Sequence, residues 1–522
     1  MPFLLHQSLV ETARRLPSKV AVQCGGQFQT FAELLVAANR LANTLLAKGV
    51  KKGDRVGIYL PRCLESVAAV YGVLLVGAVY LPLDPFSPAA RTITLLNECD
   101  VAVLITNRQQ RRRLPELFTE PSPLRLVLGF AGDLPVPTLG PDDLNLAPAS
   151  APQTPNILAD DLAYILTTSG STGTPKGIMH THRSGLAYAK LIRDNYKITE
   201  NDVLGNHCAL HFDMCTLAYF CGPLTGATIA LATDAHVRLP ASMAAMMAAE
   251  KVSVWYSVPL ALQQMLLTNT LADLDLTALR LVVWAGEALA PEYLRQLIGL
   301  LPRATFSNHY GPAETNVCTT YDITGELSFT GAVPIGKAWA NTHVILTNET
   351  GKEVPPGETG ELLVRSATTM AGYWKRPDLT ARAFLKVERY PGFFETYYRT
   401  GDLARRDTDG TLHLLGRRDR QVKIRGYRVE LDEVEMVANN HPAVVESATF
   451  AVADTSGTKR LILAVHVSDR KPAPKLLSYF SARLPAFAVP QEILPYGALP
   501  RTPGGKIDRR QLESSYSPLQ PS

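Results

Sequence analysis

An apolar run at residues 162–166, LAYIL, stops at residues 167–177, TTSGSTGTPKG, and this junction constrains the fold more than any other stretch. Nine of those eleven residues are Gly, Ser or Thr, and the other two are Pro175 and Lys176, so a strand cannot continue through them. The pattern is a strand followed by a cradle for a polyphosphate. Hydroxyls and backbone N–H groups surround phosphate oxygens, glycines allow close approach, and Lys176 adds positive charge. A flexible Gly/Ser linker has the same composition, but such linkers seldom follow an apolar strand directly. The G-x-x-x-x-G-K-[ST] nucleotide loop does not fit, because Lys176 is preceded by Pro175 and followed by Gly177.

A chain of 522 residues exceeds the size at which one hydrophobic core stops growing, so at least two domains are expected. With 46% hydrophobic and 19% charged residues it has the composition of a globular protein. A formal charge of +4 is too weak to argue for nucleic acid, and the QQRRR run at residues 109–113 reads as a solvated face. Seven scattered cysteines without a C-x-x-C pair suggest reduced thiols and a cytoplasmic location. The N-terminus does not read as a signal peptide. Residues 67–81 are apolar but too short for a membrane span, and they predict a buried helix running into a buried strand.

Helical spacing at residues 31–49 and 64–76 alternates with strand patterns at 55–60 and 78–81, which argues for an α/β domain with a largely parallel sheet. Prolines crowd residues 107–160, which read as a largely solvent-exposed connection. A second α/β region extends to about residue 320, with strands at 228–231 and 279–284 and a helix at 241–251. Residues 325–416 turn to short strands separated by Gly and Pro, and a compact α/β segment follows to about 513. The last residues read as a frayed end.

Asn308, Tyr310, Gly311, Pro312, Ala313 and Glu314 form a second cluster. A tyrosine ring stacks on adenine, an asparagine amide pairs with its edge, and a carboxylate holds the Mg²⁺ that bridges phosphates. Residues 398–402 read YRTGD, and an acidic side chain is the natural reader of a vicinal diol. A charged run, GRRDRQVKIRGYRVE, occupies 416–430, and GGKIDR occupies 504–509. Taken in this order, the five stretches resemble the adenylate-forming superfamily: acyl- and aryl-CoA ligases, luciferases, and the adenylation domains of non-ribosomal peptide synthetases. Ala313 stands where that family has threonine, and Gly504 where asparagine is usual.

The resemblance implies an α/β enzyme in two parts. Residues 1–416 would form a large N-terminal domain of two α/β subdomains plus a β-rich one, and residues 417–522 a small, mobile α+β lid. It implies ATP and Mg²⁺ as cofactors, an acyl-AMP intermediate, and transfer of the acyl group to a thiol. ATP contacts fall on Thr167, Thr168, Ser169, Gly170, Ser171, Thr172, Gly173, Lys176, Gly286, Glu287, Asn308, Tyr310, Gly311, Asp402 and Arg417. Glu314 becomes the metal ligand and Asp419 the hinge. Lys506 would reach the carboxylate and the α-phosphate together, while Lys423 and the Gly426 loop would serve the second half-reaction.

The acid is read from residues 207–226, where Asp213 occupies the position that pairs with an α-ammonium in amino-acid-activating members. Asp213 also precedes an apolar stretch and suits a helix cap. The remaining pocket positions fall on Met214, Leu217, Tyr256, Val283, Ala285, His309, Val317 and Cys318, a neutral and compact set. It resembles the pockets of stand-alone L-proline-activating enzymes. The spacings of His180 with His182 and of His207 with His211 lack a third metal ligand or an H-E-x-x-H pattern, and no G-x-S-x-G offers a hydrolase nucleophile.

The expected protein activates L-proline and passes it to the phosphopantetheine of a carrier protein acting in trans, since no stretch after residue 513 suffices for a carrier domain. No nucleic acid or membrane partner is expected. Three alternatives stay open: another small neutral amino acid, an aryl- or acyl-CoA ligase, and a catalytically silent ATP-binding homologue.

Overall fold

Thr30 starts the first long helix, Phe31–Ala47, through a reciprocal cap: its hydroxyl accepts from Glu33 N, and the Glu33 carboxylate accepts from Thr30 N at 2.8 Å. That helix packs on Leu64–Leu75, where a Cβ on Gly72 would come within 2.8 Å of Leu41. Residues 66–75 are all buried, which explains a helix apolar on every side, and the chain then enters the buried strand Val79–Pro82 as expected.

The computed structural model describes residues 2–168, 175–323, 327, 332–418, 420–454, 458–467, 474–502 and 507–516. The chain divides into two compact units. The larger contains Met1–Pro85, Leu95–Thr167 and Gly177–Arg418; the smaller contains Phe86–Thr94, Thr168–Lys176 and Asp419–Ser522.

Two parallel-rich sheets and one antiparallel sheet build the larger unit. In an eight-stranded sheet, Leu162–Thr168, Val79–Pro82, Arg55–Ile58, Val103–Ile105, Leu126–Leu128 and Thr138–Leu139 follow one another in parallel. In a nine-stranded sheet, Thr305–Tyr310, Leu281–Ala285, Val254–Ser257, Val203–Asn206, Thr228–Leu231 and Val20–Cys24 are parallel neighbours. Strands buried on both faces read as continuous apolar runs, as Leu281–Ala285 does. The β-rich stretch forms a separate sheet ordered Thr342–Thr347, Thr359–Ser366, Phe393–Arg406, Phe384–Tyr390, with Leu412–Arg417 also pairing to the long strand.

One sequence expectation needs correction. Residues 107–160 are not simply an exposed connection: Leu126–Leu128 is a buried strand that extends the first sheet, and Pro141–Leu146 is a short helix. Three residues are too few to show a strand period, and the prolines around them masked the signal.

The smaller unit contains the hairpin Gln421–Ile424 with Tyr427–Glu430 and a mixed sheet of Val444–Ala453, Lys459–Val467 and Glu492–Tyr496. The central strand alternates sides. Leu461, Leu463 and Val465 join one core with Val434 and Phe480, while Ile462 and Ala464 join another with Phe450 and Leu512. Among the described residues, no helix is long and apolar enough to cross a membrane.

Candidate active site

Sheet register gathers most of the residues proposed for the acid pocket. Tyr256 pairs with Val283, and Ala285 pairs with His309, on three adjacent parallel strands. Because side chains alternate, Tyr256, Val283, Ala285 and His309 share one face, and Trp255, Val282, Trp284 and Phe306 occupy the other. Met214, Leu217 and Val317 belong to the same apolar cluster as Tyr256 and Val283, with Ala285 packed against it. Cys318 is separate: it is fully buried in a neighbouring cluster beside Tyr310, its thiol against the Thr315 hydroxyl at 2.9 Å and pushed up to about 12 by burial.

Asp213 opens a 3₁₀ turn, Asp213–Cys215, followed by a π-helical turn, Leu217–Cys221, and a short α-helix, Gly222–Thr225. Phe212 holds the cap position and makes no side-chain cap bond, so Asp213 is not the helix cap. The π turn is braced by Tyr71, whose hydroxyl donates to the Tyr219 carbonyl at 2.8 Å, and by Ser66 against the Tyr219 hydroxyl at 2.7 Å. After burial itself, the Asp213 charge is the next influence raising the Tyr256 phenol, and it also raises Tyr188. The carboxylate therefore lies within electrostatic reach of both buried phenols.

His309 adds to that neutrality. Burial lowers its imidazole to about 3, and Nε2 lies 2.6 Å from the Tyr196 hydroxyl. Tyr196 in turn contacts Ser307 at 2.7 Å and donates to Asp322 at 3.2 Å. The rings of Tyr256 and Trp339 meet His309 edge to face. No local pattern singles out Tyr196 or Trp339; positions 196, 309 and 339, from a helix end, a strand and the segment after another strand, become neighbours only in the fold.

The nucleotide-side residues form a second group. Tyr310 ends its strand, and its hydroxyl donates to Asp402 Oδ2 at 2.5 Å. Arg417, directly opposite Asp402 on the adjacent strand, donates to Oδ1 at 2.7 Å. An ionised carboxylate has about four acceptor sites, so two remain for a diol. Burial, reinforced by the Asp402 charge, keeps the Tyr310 phenol protonated and therefore a donor. Asn308, on the opposite face from His309, donates to the Pro334 carbonyl at 2.8 Å. Glu314 is fully buried and accepts from the Tyr373 hydroxyl at 2.8 Å. His180 supports this turn: Nε2 lies 2.9 Å from the Ala313 carbonyl, and the ring stacks on Tyr164. Neither His180 nor Tyr373 stands in a motif that signals these contacts.

Gly311 is required by the same turn. A Cβ there would stand 1.7 Å from the Asn316 carbonyl oxygen. Replacing Gly311 with alanine must displace backbone, and the expected cost is about 1–3 kcal/mol, seen as a lower thermal midpoint. An unchanged midpoint would show that the turn relaxes freely. Gly286 follows Leu281–Ala285 at φ 95°, where glycine turns the chain toward Glu287.

Thr167 and Thr168 end the strand Leu162–Thr168, and the buried Thr168 hydroxyl oxygen makes no hydrogen bond among the described residues. Such an orphaned group fits a phosphate oxygen as its partner. Lys176 opens the strand Lys176–Thr181. Lys423 lies in the hairpin, opposite Arg428, and the intervening Arg425 and Gly426 both have positive φ, as a tight two-residue hairpin turn requires. Ser169, Gly170, Ser171, Thr172, Gly173, Asp419 and Lys506 lie outside the described residues.

Residues 9–374 match the AMP-binding enzyme family, and residues 433–506 match the AMP-binding enzyme C-terminal domain. The chain belongs to the AMP-binding enzyme family, and its fold is that of adenylate-forming enzymes. Among its relatives is an L-proline--[L-prolyl-carrier protein] ligase of Pseudomonas fluorescens, 31% identical over 98% of this chain and 99% of that one. A dimodular nonribosomal peptide synthase of Bacillus subtilis is 34% identical over 95% of this chain, which spans only 20% of that protein. A solved Vibrio cholerae adenylation domain in complex with glycyl-adenosine-5'-phosphate superposes with a TM-score of 0.84 at 25% identity, covering 99% of this chain and 98% of that one.

Proposed function

We propose that the protein activates a small neutral amino acid, L-proline foremost, as an aminoacyl-AMP and transfers it to the phosphopantetheine thiol of a separate carrier protein. The observation that carries this reading is one carboxylate, Asp213, set against walls whose titratable members stay neutral. A half-buried carboxylate beside neutral groups suits an α-ammonium as the substrate group that it holds. The compact wall of Met214, Leu217, Tyr256, Val283 and Ala285 suits a short apolar side chain. The relative that is named as a prolyl-carrier protein ligase supports proline within that class.

In this mechanism Asp213 fixes the ammonium, which orients the substrate carboxylate. One carboxylate oxygen attacks the α-phosphorus of ATP, the bond to the β-phosphate oxygen breaks, and pyrophosphate leaves. Tyr310, Asp402 and Arg417 hold the nucleoside, with the two remaining acceptor sites of Asp402 on the ribose hydroxyls. Thr167, Thr168 and Lys176 hold phosphates, and Lys506 stabilises the charge that develops at the α-phosphate. Mg²⁺ binds through one or two carboxylates plus substrate phosphates rather than through a protein cage. Glu314, a buried hard-oxygen ligand held by Tyr373, fits that requirement; the bound ion would neutralise phosphate charge. In the second step the carrier thiolate attacks the acyl carbon and AMP leaves, with a turn of the small domain about Asp419 bringing Lys423 and the Gly426 hairpin into use.

Removing the charge at Asp402 with Asp402→Asn is expected to raise KM for ATP about 10- to 100-fold, because a hydrogen bond to a charged group contributes roughly 1.5–3 kcal/mol. An unchanged KM would remove Asp402 from the ribose site. The whole reading is tested by incubating the protein with ATP, Mg²⁺, L-proline and a phosphopantetheinylated carrier, then measuring the intact mass of the carrier. Gain of one prolyl group is expected. Acylation of free coenzyme A by an acid lacking an amine, with no loading of the carrier, would favour an acyl-CoA ligase instead.

A further inference from the structure

Of the two ring nitrogens of His309, only Nε2 has a hydrogen-bond partner among the described residues, and that partner begins a chain of hydroxyls ending on a carboxylate. Nε2 lies 2.6 Å from the Tyr196 hydroxyl, which lies 2.7 Å from the Ser307 hydroxyl and 3.2 Å from Asp322 Oδ1. Ser307 donates to the same Oδ1. Three elements of the larger unit supply these groups. Tyr196 ends the helix His182–Tyr196, where Arg280 Nη1 donates to its carbonyl at 3.0 Å. Ser307 and His309 share one face of the strand Thr305–Tyr310, and Asp322 stands directly opposite Ser307 on the antiparallel strand Thr319–Ile323.

Counting hydrogens fixes the direction of this chain. The Asp322 carboxylate only accepts, so the single hydroxyl hydrogen of Ser307 lies on that contact. Ser307 has none left for Tyr196, and the Tyr196 hydrogen therefore points toward Ser307 and Asp322. Burial keeps the phenol protonated, so that hydrogen is present. The contact between Tyr196 and His309 is left with one source of a hydrogen, Nε2 itself. The Asn195 amide also acts on the Tyr196 hydroxyl as a donor, for which the oxygen has a second lone pair. Burial keeps the imidazole neutral, so Nδ1 is bare. The surroundings of Nδ1 agree. A proton there would be a buried donor with no acceptor among the described residues, which is rarer in proteins than an unfilled lone pair. Tyr256 and Trp339 meet the ring edge to face, but packing of that kind does not choose between its nitrogens.

We propose that Asp322 and Tyr196 are positioning residues for amino-acid selection: acting through Ser307 and the Tyr196 hydroxyl, the Asp322 carboxylate fixes His309 as the Nε2–H tautomer in one ring orientation. This rests on the reading above that His309 lines the amino-acid pocket. A ring held by one directed hydrogen bond gives the pocket a fixed wall. A ring free to turn or to exchange tautomers holds a compact occupant less well and rejects a bulkier one less strongly. Loosening the relay therefore acts on the amino acid and leaves ATP alone, since Tyr310, Asp402 and Arg417 are held by bonds of their own.

The test compares Tyr196→Phe, Asp322→Asn, Ser307→Ala and His309→Gln on the full chain by two measurements: the imidazole nitrogen NMR shifts of His309, identified by their loss in His309→Gln, and ATP/pyrophosphate exchange with L-proline and with pipecolate. The unaltered protein should show the Nε2–H tautomer. Tyr196→Phe is expected to raise KM for proline about 10-fold with KM for ATP within about 2-fold, because it removes the one polar partner of a buried ring. Its preference for pipecolate over proline should rise about 3- to 10-fold, the lower range for one methylene. Asp322→Asn can donate as well as accept, so the Nδ1–H form should appear alongside the same change in preference. It keeps the shape at a solvent-exposed position and remains informative if Tyr196→Phe does not fold. Ser307→Ala leaves the direct contact between Tyr196 and Asp322 and should keep the original tautomer. An Nδ1–H tautomer in the unaltered protein, or an unchanged pipecolate preference in both Tyr196→Phe and Asp322→Asn, would overturn the proposal. Unchanged proline kinetics in His309→Gln would instead overturn the underlying reading that His309 lines the pocket.

Discussion

Substitution of Asp213 by alanine is expected to lower kcat/KM for the amino acid by about 10²- to 10³-fold, because removing one member of a buried ion pair costs roughly 3–5 kcal/mol and Asp213 is only half-buried. The loss has two parts. An ammonium would have to leave water without a counter-charge, and the carboxylate that it orients would no longer be aimed at the α-phosphorus. Asp213→Asn separates them, since the amide keeps the shape and loses the charge. Both variants should bind ATP normally, because Asp402, Arg417 and Tyr310 are held by hydrogen bonds to one another that do not involve Asp213. Exchange kinetics at varied proline and varied ATP provide the measurement. A variant that retains exchange with proline would exclude Asp213 as the ammonium partner.

The second large effect is expected at Lys506. Its replacement by alanine should lower adenylation about 10²- to 10³-fold, the usual range for losing one preorganised group that stabilises transition-state charge. Thioester formation from supplied prolyl-AMP should stay within about 2- to 3-fold of normal, because the thiolate attacks the acyl carbon and no bond to phosphorus forms or breaks in that step. The split between the half-reactions is the informative quantity. Equal loss of both would contradict a lysine that serves the first step alone and is withdrawn for the second.

Chemistry that dictates residue type was the most legible part of the sequence. Lys176 after a run rich in Gly, Ser and Thr, and the acid Asp402, are candidates that the sequence offers locally, whereas the role proposed for Asp213 comes from a resemblance. Long helices were legible for a related reason: residues 31–49 and 64–76 carry enough turns to show their period, and they correspond to Phe31–Ala47 and Leu64–Leu75. What was not legible depends on contacts distant in sequence. Nothing in the spacing of Tyr196, Tyr256, His309 and Trp339 signals that four rings meet; parallel register places Tyr256 near His309, while Tyr196 comes from the end of the helix His182–Tyr196 and Trp339 from the segment after Lys337–Ala338. The strand Leu126–Leu128 is too short to show alternation, and the π turn at Leu217–Cys221 depends on a bond from Tyr71 to a backbone carbonyl. The link from Arg509 to Glu435 is equally invisible locally: Arg509 belongs to the last of the five motifs, but its partner lies 74 residues earlier, outside all of them.

The most direct test of the account is ATP/pyrophosphate exchange measured across the twenty amino acids, pipecolate, benzoate and a fatty acid, with Asp213→Ala alongside. The account predicts that proline gives the highest exchange, that other small neutral amino acids follow, and that the variant is inactive with all of them. Exchange supported only by acids that lack an amine, or undiminished in the variant, would contradict it.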